Sequence, residues 1–276
     1  MAKRGKIKYI KEVLMCNPLY FSVSYSINPW MIPGSANLDR AKKQWGELVK
    51  TYKNLGITVK IIDQEPNLPD MVFSTDQGII WNKEFFVSNF CHEQRRGERK
   101  PYLNWFESNG YKIRNIPNEV CFEGNGECVF FNGNLFVGVG FRANAKSCKY
   151  LHKALKIDVY PLELINPYFY HLDTALLVLD DKTAFYYQQA FSKKSQKLLQ
   201  KKIPNLIPFS DEEVYKFAAN SVVTDHTVIV QKDILSFNKT LRKLGYNAVS
   251  IDLSEFIKSG GAAHCLTQIL KEDYEN

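Results

Sequence analysis

The sequence predicts an α/β fold in which hairpin–helix–strand units close into a five-bladed, pseudo-symmetric α/β propeller around a central channel. Three observations predict it. The order of apolar hairpin, helix and short apolar strand recurs at a period of roughly 48 residues, within the range that marks propellers and solenoids. Compact turns interrupt the hairpins, and Asn132-Gly133 between apolar runs is the clearest, because both residues tolerate positive φ. The first strand and the last apolar run together supply one shared unit, and a ring closed by its own two ends removes the exposed sheet edges of an open array.

The units follow in order. Residues 9–15 alternate loosely as a strand and end in the turn Cys16-Asn17-Pro18. Residues 19–31 are aromatic-rich and broken by proline, which fits a loop or lid. Asn37 then caps a helix carrying Leu38, Ala41, Trp45, Leu48, Val49, Tyr52 and Leu55, with Gly56 as its stop and 57–62 as the strand that follows. The second unit has strands at 71–80 and 84–88 around Asn82-Lys83, a helix around 102–106 ending at Gly110, and a strand at 111–116. The third has 122–131 and 135–139 around Asn132-Gly133, with 150–155 in its helix. The fourth has 170–179 and 183–189 around Asp180-Asp181-Lys182, then a lysine-rich helix over 195–202. The fifth has strands at 217–223 and 227–230, a helix through Phe237, Leu241 and Leu244 stopped by Gly245, and a strand at 248–251. Residues 265–270 complete the unit begun by 9–15.

Composition narrows the function. With 276 residues, 45% hydrophobic and 24% charged, the chain can bury a full core, and a single domain over 1–276 is expected. No run of about 18 apolar residues offers a membrane span. The basic start 1–8 leads into Lys11-Glu12 and not into an apolar segment, so a secretory leader is not expected and the cytoplasm is. A formal charge of +7 raises nucleic acid as a partner, but lysines such as 193, 194, 197, 201 and 202 fall on helix faces as solvated surface, which argues against it. Six cysteines at 16, 91, 121, 128, 148 and 265 show no CxxC or Cys/His zinc spacing, so reduced thiols and no metal site are expected.

In a ring, the same position of each unit points at the axis. The start of each hairpin in turn brings Asp76, Glu123, His171 with Asp173, Asn220 and Cys265. Each has a plainer reading. Asp76 is also a turn residue, Glu123 borders a glycine turn, and Glu127 reads as structural. A strand histidine is often a hydrogen-bonded core residue, and a buried cysteine is often a small hydrophobe. Their recurrence at one period favours a site. His171 and Asp173, at i and i+2, share a strand face in this reading, whereas His92, His152 and His226 lack such neighbours and read as structural. Carboxylates gathered around a planar cation suit bidentate recognition of a guanidinium. A thiol among carboxylates is held protonated unless a cationic substrate, or protonated His171, stabilises the thiolate. Substrate choice and nucleophile activation then become one event.

The set Asp76, Glu123-Gly124, His171-Leu172-Asp173 and Gly260-Gly261 with Cys265 resembles the guanidino-group-modifying superfamily of the pentein fold, which holds arginine deiminases, dimethylarginine dimethylaminohydrolases, agmatine deiminases and amidinotransferases. Residues 15–16, 27–31 and Gly140-Phe141-Arg142 look like the branch with bacterial dimethylargininase-like proteins and the cyanobacterial type of arginine dihydrolase domain. The resemblance implies a cofactor-free hydrolase of free arginine or a methylated arginine, with no metal and a small guanidino compound as partner; homo-oligomerisation stays open. It implies Cys265 as nucleophile on the guanidinium carbon, His171 as acid and then base, and Glu123 beside His171 or a substrate nitrogen. It further implies Asp76 and Asp173 on the guanidinium, Arg142 on the substrate carboxylate, and Asn28 and Asn220 as further substrate contacts. A carboxylate partner for Arg142 argues against agmatine. Where dihydrolase-like relatives carry asparagine in Thr-Ala-Asn-Ala-Gly, this chain has Ser74-Thr75-Asp76-Gln77-Gly78, so a single hydrolysis to a ureido product is expected over double hydrolysis to ornithine. His264 before the cysteine is similar to agmatine deiminases. Arginine dihydrolase, amidinotransferase and a non-catalytic arginine-binding protein are the competing readings.

Overall fold

The computed structural model describes residues 8–274, so 1–7 of the basic start lie outside the described residues. Among them, five three-stranded mixed sheets carry the strands. The first blade has β1 (Lys8–Asn17), α1 (Leu38–Asn54) and β2 (Thr58–Asp63). The second has β3 (Gly78–Trp81), β4 (Glu84–Val87), α2 (Arg99–Ser108) and β5 (Lys112–Asn115). The third has β6 (Cys128–Phe131), β7 (Asn134–Val139), α3 (Ala145–Leu155) and β8 (Val159–Glu163). The fourth has β9 (Leu176–Val178), β10 (Thr183–Tyr186), α4 (Lys193–Lys202) and β11 (Asn205–Pro208). The one-turn helix α5 (Asp211–Val214) leads to the fifth, with β12 (Val222–Thr224), β13 (Thr227–Gln231), α6 (Leu235–Lys243) and β14 (Asn247–Ile251). A second short helix, α7 (Ser254–Ile257), precedes β15 (Gln268–Tyr274).

In blades two to five the first strand runs antiparallel to the second, and the second pairs parallel with the third after the helix crossover. β15 takes the first-strand place in blade one, antiparallel to β1 with Val13↔Ile269 and Leu14↔Gln268. β1 in turn pairs parallel with β2, Val13 opposite Val59. The chain's two ends therefore complete one blade, as the sequence predicts. Residues of all five first strands, β3, β6, β9, β12 and β15, wall a single cavity of about 1000 Å³, the central channel of the ring.

Local chemistry accounts for the elements. Asn37 Oδ1 accepts from the Arg40 amide at 2.9 Å and starts α1, whose Ala41, Leu48, Val49 and Tyr52 are buried on one face. Asn132 and Gly133 take φ of 48° and 72°, the geometry of the tight hairpin turn. Along β4, Phe85 packs with Tyr102 and Phe106 of α2, while its neighbour Phe86 faces Phe122 and Leu135 of the next blade. Each such ring, fully buried, contributes on the order of 1.5–3 kcal/mol. The Tyr52 hydroxyl lies 2.7 Å from Thr267 Oγ1, tying α1 to the segment just after Cys265.

The structure corrects several expectations. Residues 71–77, 122–127 and 170–175 are not strand; they carry 3₁₀ turns at Pro69–Val72, Ser74–Gln77, Gly124–Gly126 and Leu172–Thr174. His171 and Asp173 therefore do not share a strand face. Apart from the single bridge of Phe122 with Asn89 these segments pair with no strand, and local bonds such as Thr174 N to His171 O satisfy much of their backbone instead. Residues 217–221 and 263–266 are likewise turns or bends ahead of β12 and β15. The expectation of reduced thiols fails for one pair, because Cys91 and Cys121 form a disulfide. The neighbouring bridge between Asn89 and Phe122 holds the two chain segments together, and the Cα atoms of Cys91 and Cys121 stand 5.3 Å apart, within disulfide reach. Among the described residues no helix is long and apolar enough to cross a membrane.

Candidate active site

The turns that precede the inner strands carry the candidate residues to one place. Cys265, 2% exposed, sits on a turn anchored by Asn220. Asn220 Oδ1 accepts from the amides of Ala262 (2.9 Å) and Cys265 (3.1 Å), and its Nδ2 lies 3.1 Å from Cys265 Sγ. The Asn220 carbonyl also accepts from the His264 amide at 3.1 Å. A single asparagine thus fixes both the backbone and the thiol of the Cys265 turn. Asp173 Oδ2 lies 3.4 Å from Sγ and 2.8 Å from His264 Nδ1.

His171 caps the 3₁₀ turn of Leu172–Thr174 and Glu123 that of Gly124–Gly126. His171 Nε2 meets Glu123 Oε2 at 2.9 Å, and its Nδ1 stands 3.6 Å from Asp76 Oδ1. This approach requires glycine at 126: a Cβ there would lie 2.5 Å from Asp76 Oδ1 and 2.9 Å from His171 Nδ1. Arg142 donates from Nη1 to the same Glu123 Oε2 at 3.0 Å and from Nη2 to the Ile27 carbonyl at 2.9 Å, with its guanidinium over the Tyr170 ring. Asn28 donates to the Ser259 carbonyl and accepts from the Trp30 amide, holding the 19–31 stretch over the site.

Two functional candidates escaped the sequence. Arg95, 3% exposed, donates from Nη1 to Asp76 Oδ2 at 2.7 Å and from Nε and Nη2 to the two Glu98 oxygens at 2.9 and 2.8 Å. Asp70 accepts from Tyr25 and Ser259 hydroxyls, both at 2.7 Å. In the sequence Arg95 belongs to the charged run 92–100, which reads as solvated surface. The one local signal is Glu98 at i+3. Asn28, Asp76, Arg95, Arg142, Tyr170 and Cys265 all line one small cavity of about 10 Å³, room for roughly one water.

The electrostatics follow from burial among charges. Burial would raise the Glu123 carboxyl, but Arg142, the His171 hydrogen bond and Arg95 outweigh it and hold it well below the usual range. Burial pushes Asp76 up, with His171 and Arg95 opposing. Burial also pushes Glu98 up to about 7 against the pull of Arg95. Glu127, buried beside Glu123 and Asp173, is raised well above the carboxylate range by burial first and those charges second. Burial, then Asp173 and Asp76, drives the Cys265 thiol well above its ordinary value. In the free protein Cys265 is therefore a thiol, and a cation placed among Asp76, Asp173 and Sγ favours its ionisation.

Comparisons with known proteins show the family of the chain. The model of the family described as N,N dimethylarginine dimethylhydrolase, eukaryotic, matches residues 26–271. An N(G),N(G)-dimethylarginine dimethylaminohydrolase of Mycobacterium tuberculosis is 36% identical over 258 residues, 93% of this chain and 85% of that protein. The bifunctional arginine dihydrolase/ornithine cyclodeaminase ArgZ of Synechocystis sp. is 34% identical over 262 residues, 93% of this chain but 37% of that protein. The crystal structure of the N-terminal domain of ArgZ bound to substrate superposes with a TM-score of 0.90 at 33% identity, covering 93% of this chain and 97% of that one.

Proposed function

The chain belongs to the dimethylarginine dimethylaminohydrolase and arginine dihydrolase family of the pentein superfamily, and from that premise we propose that it hydrolyses the guanidinium C–N bond of free arginine or an N-methylated arginine to citrulline. What carries this reading is the convergence of a buried thiol, the His171–Glu123 pair and the Asp76 and Asp173 carboxylates within one ring of turns. As the cationic guanidinium settles between Asp76 and Asp173, it offsets the charges that keep Cys265 protonated. The thiolate adds to the guanidinium carbon, and His171 gives its proton to the departing ammonia or methylamine, leaving an S-linked thiouronium. His171 then takes a proton from water, the hydroxide adds to the same carbon, and collapse expels the thiolate and frees the ureido product. Glu123 holds the charge that His171 carries between these steps.

The small cavity admits roughly one water, so a free amino acid enters only when the 19–31 stretch, pinned by Asn28 and by Trp30 Nε1 on the Tyr168 carbonyl, moves aside. In this proposal Arg142, Arg95 and Asn28 line that entrance and receive the α-carboxylate, and the five blades act as one catalytic unit. Double hydrolysis to ornithine is the second reading, favoured by the likeness to ArgZ over 93% of the chain. The carboxylate at Asp76 supports the single hydrolysis. The test is protein incubated with arginine, NG-methylated arginines or agmatine, with amino-acid products and released amines quantified beside a Cys265→Ala control. Citrulline that disappears in the control supports the proposal. Ornithine with two ammonia per arginine sinks it in favour of dihydrolysis, and no turnover of any compound sends it to amidino transfer or to a binding role.

A further inference from the structure

Two cavities approach the same carboxylate, the large one at Asp173 itself and the small one through Cys265. The small one holds Cys265. The large central channel, about 1000 Å³, runs along the inner strands to the hairpin tips at Asn132 and Asp181, and at its inner end it is lined by Asp173 and His264 but not by Cys265. Asp173 Oδ2 bridges the two: it is 3.4 Å from Cys265 Sγ and 2.8 Å from His264 Nδ1. The His264 side chain is 22% exposed where that of Asp173 is 3%. His264 is thus a solvent-reaching titratable group connected to the thiol by one shared oxygen. The mechanism above makes no use of it.

We propose that His264 is a positioning residue of the thiol chemistry, the outlet through which Asp173 passes the Cys265 proton into the central channel while substrate closes the entrance side. This rests on the hydrolase reading. At rest the His264 ring donates Nδ1–H to Asp173 Oδ2; as the S–H bond breaks and its proton reaches Oδ2, the ring exchanges through channel water to its Nε2–H tautomer and takes that proton at Nδ1. Nε2 then releases its own proton to channel water. The released proton is the one that ammonia takes up in solution, and at the end of the cycle the hydroxyl proton of the collapsing adduct restores the thiol. No other reactant is needed. The groups that act on this route are Asp173 and, across the small cavity, Asp76; the channel walls add Lys8, Asp180, Asp181, Lys271 and Glu272, with Lys8 paired to Glu272 at 2.7 Å.

The test compares the parent with His264→Ala and His264→Gln, the latter keeping an amide donor for Asp173 without a proton to pass on. With arginine at neutral pH, both variants are expected to lose about 100-fold in kcat with KM changed little. Added imidazole is expected to restore His264→Ala saturably, in proportion to its free base. A parallel titration of thiolate absorbance, which needs no turnover, is expected to move the Cys265 midpoint up by about one pH unit in His264→Ala. Full activity in His264→Gln would reduce His264 to a hydrogen-bonding clamp and overturn the proposal. So would a His264→Ala protein that imidazole leaves unchanged, or one with parental kcat. If the parent turns over no guanidino compound, the hydrolase reading fails by itself, and the thiolate titration then decides the link: an unmoved midpoint overturns it.

Discussion

Glu123 offers the sharpest perturbation. Its Oε2 alone accepts both His171 Nε2 (2.9 Å) and Arg142 Nη1 (3.0 Å), while Oε1 has no hydrogen-bond partner among the described residues. In Glu123→Gln the amide oxygen can take the place of Oε2, so both contacts survive and only the charge is lost. A charge-assisted hydrogen bond is worth about 1.5–3 kcal/mol against about 1 kcal/mol for a neutral one, so two of them lose roughly 1–4 kcal/mol. If that charge supports the protonated ring in the transition state, kcat falls by roughly 5–1000-fold at about 1.4 kcal/mol per decade. The assay is steady-state release of ammonia or amine from arginine, run beside urea unfolding of the same sample. An enzyme within about threefold of parental kcat, still folded, would refute the coupling of His171 to Glu123.

Other consequences follow from the same contacts. Asn220→Ala strands the buried amides of Ala262 and Cys265, at about 1–3 kcal/mol each, and should lower both the unfolding free energy and kcat; an unchanged urea midpoint would contradict the anchoring role. Because Cys265 titrates well above its ordinary value, its alkylation by iodoacetamide in the free protein should climb about tenfold per pH unit from neutrality through pH 9, and a flat profile would show a preformed thiolate. The Cys91–Cys121 bridge spans 30 residues, so reduction or Cys91→Ser should cost roughly 3–4 kcal/mol of stability by loop entropy, measured as a shifted urea transition with and without reductant; coincident transitions would argue against the bridge.

The ring was legible because its signals are local. Asn132-Gly133 marks its turn by backbone chemistry alone, and Asn37 with Gly56 delimits α1 in the same way. The outermost strands β8 and β11 were not read, since both are short, partly exposed edge strands that contain proline, Pro161 and Pro208. The axial residues were legible as a set by their period, yet their backbone was misread: apolar residues continue through segments that fold as 3₁₀ turns and not as strand. What sequence could not convey was pairing at a distance. Arg95 looks solvated until Asp76 and Glu98 surround it, and His264 meets Asp173 across 91 residues of chain. The same distance hid the cysteine bridge.

The closure of β1 by β15 bears on when this protein becomes reactive. Leu14 finds its antiparallel partner in Gln268, so the first blade stays unfinished until the chain has been synthesised past that residue. Four blades can form as each hairpin and helix emerges, but the final, most non-local pairing is also the slowest to be reached. Cys265 lies just before that last strand, and Thr75, at the start of the second blade, donates its amide to the Cys265 carbonyl. Cys265 thus reaches Asn220 and Asp173 only once that last strand is in place, after the turns that carry the other axial residues.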